Sequence, residues 1–187
     1  MLNIISLEYN FVIKLFNVMK TKKILHIVFA LISVAIDIFL IVEASMSGGD
    51  SGAQSLGFTD FIINIIRTIN PNSILLNDLD TLHVVIRKLF GHFLAFGATG
   101  LFTTLSLVLL SDAFSRKKVR IAVISASIGL FLALLTEGIQ LLTPGRAGQF
   151  QDVGIDFGGF LLFAGLIYLV SYLIYTNKMN QSKERSE

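Results

Sequence analysis

The sequence contains no cysteine, no tryptophan and only 2 prolines, and charged residues make up just 15% of its 187 positions. The lack of cysteine excludes a disulfide-held scaffold. Ordinary soluble domains have about 25% charged residues, so the low charge argues against that class as well as against a disordered tail. Hydrophobic residues reach 53%, and the mean hydropathy is +0.74. The composition therefore indicates a protein whose main solvent is the lipid bilayer.

Four apolar segments are long enough to cross a membrane, since a helix of ~20 residues spans the hydrocarbon core. They cover approximately residues 24–42, 89–110, 121–142 and 153–175. Backbone polar groups in hydrocarbon must be hydrogen bonded within the chain, so each segment is expected to be an α-helix. The sequence predicts an all-α polytopic membrane protein, built as a four-transmembrane-helix bundle with an extra short helix on the outer face.

The positions of the basic residues predict the orientation of the bundle. Eleven of the 15 Lys and Arg residues precede the first span, lie between the second and third, or follow the fourth. The positive-inside rule then places both termini in the cytoplasm. Residues 1–23 are expected to be a basic, amphipathic cytoplasmic segment, residues 24–175 the membrane domain, and residues 176–187 a cytoplasmic tail. The first span exceeds the ~7 to 15 apolar residues of a signal peptide, which favours an uncleaved helix.

Residues 43–88 form the predicted outer loop between the first two spans. Its Gly/Ser-rich stretch, residues 45–57, predicts an irregular loop. Residues 59–69 carry apolar side chains at helical spacing and precede Asn70-Pro71, which predicts a short packing helix. A second helix is expected to begin near Asp78, Asp80 or Thr81 and to lead into the second span.

Polar residues gather near the outer ends of the last three spans. The set comprises Arg87, Lys88, His92, Glu137, Gln140, Arg146, Asp152 and Asp156. An ionised side chain at the bilayer centre costs at least ~2.5 to 3.5 kcal/mol, so the acids must pair, protonate or face a wet cavity. One interpretation is a structural ion-pair network, with Arg87 or Lys88 neutralising Glu137 and Arg146 neutralising Asp152. The number of polar groups at one level favours instead an outward-open binding pocket.

Three sequence motifs carry a resemblance to a known family. They are RKLFGHF at residues 87–93, EGIQLLTPGR at residues 137–146 and FQDVGIDFGG at residues 150–159, with SGAQS at residues 51–55 as a weaker match. On these motifs the chain resembles the VanZ-like membrane proteins, named for a teicoplanin-resistance determinant. The resemblance implies that seven of the eight polar residues are the family's characteristic positions. Asp156 is a departure, because many members have Asn there.

The leading functional hypothesis is a cell-envelope protein whose pocket binds an anionic group of a membrane lipid or a wall precursor, with a contribution to teicoplanin or lipoglycopeptide resistance. Arg87, Lys88 and Arg146 would hold phosphate or carboxylate, while His92 and the carboxylates would orient these bases or move a proton. The alternative is a membrane-embedded enzyme acting on a lipid-linked phosphate ester, with His92 as nucleophile or base.

Other classes of function fit the sequence less well. The basic residues are spread over three segments beside the membrane, which suits anionic lipid rather than nucleic acid. A metal site is disfavoured because Arg and Lys would repel the cation, and no cofactor is expected. A transporter would need a discontinuous helix or an inverted repeat. An assembly protein remains an alternative, packing through the G-x-x-x-G of Gly154 and Gly158. His26, Asp37 and Glu43 are assigned no role.

Overall fold

A computed structural model describes residues 2–110 and 114–185, of which residues 2–19, 114–118, 178 and 183 are described by their backbone alone. The described residues contain helices and turns and no strand. The helices, in chain order, are α1 (Leu2–Ser45), α2 (Gly48–Ile69), a 3₁₀ turn (Ile74–Asn77), α3 (Leu79–Arg87), a π-helical segment (Lys88–Leu94), α4 (Ala95–Leu110), α5 (Phe114–Leu142) and α6 (Phe150–Glu184).

Four helical stretches are long and apolar enough to cross a membrane. They are Lys20–Ser45, Leu79–Leu110, Val119–Leu142 and Phe150–Ser182. Each contains one of the spans expected from the sequence, so the all-α, four-span fold class is confirmed. Large apolar side chains such as Leu31, Phe131 and Leu173 are more than half exposed on these helices, as expected for a bundle whose outer surface faces lipid rather than water.

The two terminal helices extend beyond the predicted spans. The backbone of α1 is helical from Leu2, so residues 2–18 continue the first span instead of forming a separate helix. Helix α6 likewise continues to Glu184. Most of the basic side chains from which the orientation is predicted, including those of Lys14, Arg116 and Lys183, lie outside the described side chains.

Helix α4 lies at the centre of the bundle, in contact with α1, α5 and α6. Its approach to α6 depends on glycine. A Cβ atom on Gly100 would lie 2.3 Å from the carbonyl oxygen of Phe160, and one on Gly159 would lie 2.1 Å from that of Phe93. The backbones can come this close only without side chains at these positions, which is the usual role of small residues in membrane helix packing.

Gly154 and Gly158 do not make such contacts. A Cβ atom on either residue would meet no heavy atom within 4 Å. Among the described glycines, Gly97 and Gly129 are also close-packed, against the rings of Phe163 and Phe160. The G-x-x-x-G face is free of such contacts, so packing against another membrane protein through it remains an alternative.

Hydroxyl groups and one histidine join α1 to α4. Ser33 Oγ and Thr103 Oγ1 lie 2.6 Å apart, and the Oγ of Ser106 lies 2.7 Å from Nδ1 of His26. Such interhelical hydrogen bonds satisfy polar groups that would otherwise face hydrocarbon. His26, to which the sequence assigned no role, thus holds the two helices together.

The predicted loop over residues 45–57 was wrong, because helix α2 begins at Gly48 and runs through it. Glycine and serine have low helix propensity, but tertiary contacts override such preferences. Here the Ser47 side chain accepts a hydrogen bond from the backbone of Asp50, capping the helix, and the Gly48 N–H donates to Pro144 O at 3.0 Å. The predicted end of the helix before Asn70 agrees with the structure.

Helix α3 begins where the sequence indicates. Asp78 is its N-cap, with its carboxylate accepting a hydrogen bond from the backbone N–H of Thr81 at 3.0 Å. Hydrogen bonds from the side chain and backbone of Thr81 lower the pKa of Asp78. Apolar contacts among Ile63, Leu82 and Ile86 pack α2 against α3. The π-helical turn that follows was not predicted; such turns widen a helix locally and are frequent at functional sites.

Candidate functional site

A cavity of about 570 Å³ lies at the end of the bundle that holds α2 and the connection between α5 and α6. Six of the eight predicted site residues line it: Arg87, His92, Gln140, Arg146, Asp152 and Asp156. The other two, Lys88 and Glu137, hydrogen bond to lining residues. The structure therefore brings all eight positions together around one cavity, although they come from three separate parts of the chain.

The connection 143–149 forms one wall of this cavity and is tied to its neighbours. Gly145 has a φ of +73°, a left-handed conformation that glycine adopts without strain. The Thr143 hydroxyl donates to Ala44 O at 3.3 Å, which fixes the turn to the end of α1. Together with the Gly48–Pro144 hydrogen bond, this places α2 and the turn side by side.

Two guanidinium groups line the cavity. Arg146 lies in the connection between α5 and α6 and donates a hydrogen bond to Ser51 Oγ on α2. Arg87 is the last residue of α3. Burial lowers the pKa of Arg146, the nearby charge of Arg87 lowers it further, and Glu137 and Glu43 act in the opposite direction. Neither Arg forms a salt bridge with a carboxylate in the described part of the chain.

The carboxylates at the floor of the cavity have other partners. Lys88 Nζ forms a salt bridge with Asp152 Oδ1, and His92 Nδ1 lies 3.0 Å from Asp156 Oδ1. The ion pairs considered from the sequence, Lys88 or Arg87 with Glu137 and Arg146 with Asp152, are therefore wrong. Lys88 and His92 both lie on the π-helical segment Lys88–Leu94, a feature that the spacing of the sequence does not predict.

Glu137 is buried behind the cavity wall, at 4% exposure. One of its oxygens accepts a hydrogen bond from Gln140 Nε2 at 3.2 Å, and the other accepts one from the backbone N–H of Gln149 at 2.8 Å. The second bond spans the connection between α5 and α6. Glu137 thus fixes the start of α6, on which Asp152 and Asp156 lie.

Several lining residues were not among the predicted site residues. They include Phe39, Glu43, Ser51, Gln54, Ser55, Phe58, Phe90 and Phe96. The rings of Phe58 and Phe90 meet edge to face, with centroids 5.3 Å apart. In the sequence, the SGAQS match was the one indication that residues of α2 belong to the site, because a Gly/Ser-rich stretch otherwise predicts a loop. We call the part of the lining formed by Arg87 and Arg146 the cationic side of the cavity, and the part formed by Phe58 and Phe90 its aromatic side.

A family model described as VanZ/LLP1 matches residues 23–171. This range contains most of the first span, the second and third spans, and the fourth up to residue 171, together with α2 and every residue that lines the cavity. The chain belongs to the VanZ/LLP1 family. The resemblance inferred from the three motifs is thereby confirmed, and this VanZ-like chain is a multi-pass membrane protein. No curated protein and no solved structure matches it.

Proposed function

We propose that this VanZ-like protein binds an anionic group of the cell envelope, carried by a membrane lipid or a wall precursor, in the cavity. The observation that carries this proposal is the pair of cavity arginines, Arg87 and Arg146, which no described carboxylate neutralises by a salt bridge. Two like charges held near each other repel, and an anion between them would remove that cost. Arginine also matches phosphate and carboxylate through paired hydrogen bonds.

The aromatic side of the cavity supports a ligand that is lipid-linked rather than a free anion. Phe58 and Phe90 are 45% and 37% exposed, so their rings offer apolar surface beside the arginines. A molecule with an anionic head and a hydrocarbon chain would satisfy both sides at once. The proposed orientation, with both termini in the cytoplasm, places this cavity at the outer face, where such molecules are assembled into the envelope.

Binding can be measured on purified protein in a neutral detergent, with a water-soluble short-chain phosphatidylglycerol as the probe. We expect it to raise the melting temperature, since a ligand that binds only the folded state stabilises it. Phosphatidylcholine of the same chain length should do so much less. Arg146→Ala should remove the difference between the two lipids. Arg67→Ala is the matched control, because Arg67 lies on α2 outside the cavity and donates a hydrogen bond to Asn64 on the same helix. Equal shifts with both lipids in the unchanged protein would refute the proposal.

A role in resistance is tested in cells. We expect loss of the gene to increase susceptibility to teicoplanin, and complementation to restore resistance with the unchanged protein and with Arg67→Ala but not with Arg146→Ala. Each variant must be present in the membrane at equal abundance. If susceptibility is unchanged after deletion, the protein does not contribute to teicoplanin resistance, whether or not it binds an anionic ligand.

The second candidate function, hydrolysis of a lipid-linked phosphate ester, is favoured by one observation. His92 and Asp156 form a histidine–carboxylate pair in the cavity, at 3.0 Å, an arrangement in which the carboxylate orients the imidazole as a base. Phosphate release from a short-chain phosphatidic acid by the purified protein, and its loss in His92→Ala, would support this candidate. Binding without turnover would favour the first.

A further inference from the structure

We propose that the floor of the cavity is a binding site for a divalent cation of the Zn²⁺ type, held by His92, Glu137 and Asp152. One ligand atom from each of these residues lies within 4.8 Å of the other two. Imidazole and carboxylate are the ligand types of many zinc sites with three protein ligands and one open position. The sequence disfavoured a metal because of the nearby basic residues, and the geometry reverses that expectation.

The orientation of His92 supports metal binding. Its Nδ1 faces Asp156 Oδ1 at 3.0 Å, which leaves Nε2 as the nitrogen for the cation. Histidine ligands of metals usually have their second ring nitrogen bonded to a carboxylate in this way, because that contact fixes the tautomer and makes the ligand more basic. Asp156, the position where this chain departs from many family members, would have this positioning role.

An unpaired oxygen at the same place is an independent sign of a missing positive partner. Asp156 is 1% exposed, it lines the cavity, and its Oδ2 is buried without a hydrogen-bond partner. Leaving a carboxylate oxygen in this state is costly. A cation bound to Nε2 of His92 would add positive charge to the ring that contacts this carboxylate and would reduce the cost.

The charges of the cluster also favour a cation. The carboxylates of Asp152 and Asp156 line the cavity, and the buried carboxylate of Glu137 lies behind them, whereas the cluster contains one ammonium group, that of Lys88. Lys88 contacts Oδ1 of Asp152 and leaves Oδ2 for a metal. The sequence argument against a metal was repulsion by the neighbouring Arg and Lys residues. The Arg146 guanidinium donates its hydrogen bond to Ser51 on α2 rather than to one of the proposed ligands.

The ligand atoms would have to move inward only modestly. Zinc ligands lie ~2.0 to 2.2 Å from the ion, so tetrahedral neighbours are roughly 3.4 Å apart. Small side-chain rotations would supply such a change. Three protein ligands leave a fourth position that opens toward the cavity, where the anionic ligand or water would bind.

The test is the metal content of purified protein in detergent. After equilibration with Zn²⁺ and gel filtration with a weak chelator, we expect about one zinc per chain by elemental analysis. His92→Ala and Glu137→Gln should lose it. The matched control is His83→Ala, which removes a second histidine–carboxylate contact, with the exposed Asp60, and a contact with the Thr59 hydroxyl, both outside the proposed site; it should keep the zinc. Far-ultraviolet circular dichroism confirms that each variant is folded.

A second variant separates a positioning role from a structural one. Asp156→Asn keeps the shape of the side chain, and we expect it to weaken Zn²⁺ affinity by roughly 10- to 100-fold, as loss of such partners does elsewhere. Saturating Zn²⁺ should restore full occupancy. Cobalt substitution should give visible absorption bands that shift in this variant but not in His83→Ala.

Two results would overturn the proposal: no zinc in the folded, unchanged protein, or equal zinc in the unchanged protein and His92→Ala. Metal content and the lipid-induced change in melting temperature are separate measurements on the same preparation. Failure of the metal site therefore leaves anion binding by Arg87 and Arg146 standing, and failure of anion binding leaves the metal site standing.

Discussion

Gly159→Ala tests how the bundle brings the cavity residues together. An added Cβ would lie 2.1 Å from the carbonyl oxygen of Phe93, whereas real Cβ contacts essentially never fall below 3.0 Å. The two backbones must therefore separate by about 1 Å, and overpacking of this kind costs about 1 to 3 kcal/mol. Because Phe93 follows His92, the same movement should lengthen the His92–Asp156 contact.

The control is Gly158→Ala on the same helix, where the added Cβ meets nothing within 4 Å. Alanine is favoured over glycine within a helix by up to ~1 kcal/mol, so this variant should be neutral or stabilising. The assay is thermal unfolding in detergent, where 1 kcal/mol corresponds to roughly 2 to 4 °C for a chain of this size. We expect Gly159→Ala to melt several degrees lower and Gly158→Ala no lower than the unchanged protein. Equal melting temperatures for the two variants would refute the packing argument.

Two further predictions concern the core and the α1–α4 interface. Phe160 is fully buried, so Phe160→Ala should cost about 3 to 5 kcal/mol, measurable as a large fall in melting temperature; a loss below that of Gly159→Ala would contradict the assigned core. Ser33→Ala removes the 2.6 Å contact with Thr103 and should cost only ~0.6 kcal/mol, the average for hydrogen bonds between membrane helices. A double-mutant cycle with Thr103→Ala measures this coupling, and additive effects of the two substitutions would exclude it.

The membrane fold was predictable because hydropathy is a property of long segments. The four apolar segments can be recognised without knowing which residues are in contact. The end of α2 before Asn70 and the start of α3 after Asp78 are likewise encoded by residues next to each other in the sequence. That the eight polar residues would lie close together was predictable for a related reason. Polar side chains at the same depth of adjacent spans avoid the lipid by facing the interior of the bundle, where they meet one another.

The finer contacts depended on tertiary structure that no local pattern encodes. The Gly/Ser-rich start of α2 is helical because Gly48 and Ser51 bind the connection that follows α5. Lys88 starts the π-helical segment and contacts Asp152 rather than Glu137. Which glycines pack closely depends on helix rotation, which spacing alone does not give.

The aromatic side of the cavity was missed for a similar reason. Phe58 and Phe90 are two of 16 phenylalanines in an apolar sequence. Nothing in composition or spacing distinguishes a ring that lines a cavity from one that faces lipid. Only the packing of α2 over α3 brings these two rings together.

Charged thiol reagents test together whether the cavity opens to the outer face and whether its arginines attract anions, as we propose. The absence of cysteine allows a single introduced thiol, Ser55→Cys in the cavity lining, to be treated in intact cells with membrane-impermeant methanethiosulfonates of opposite charge. Ala53→Cys on the exposed side of α2 corrects for the intrinsic reactivity of each reagent, and Ser182→Cys reports the cytoplasmic side.

We predict that Ser55→Cys reacts from outside, that it favours the anionic reagent relative to Ala53→Cys, and that adding Arg146→Ala abolishes this preference. Ser182→Cys should not react in intact cells. Labelling of Ser182→Cys without Ser55→Cys would contradict the orientation. A preference of Ser55→Cys for the cationic reagent would contradict the anion site itself.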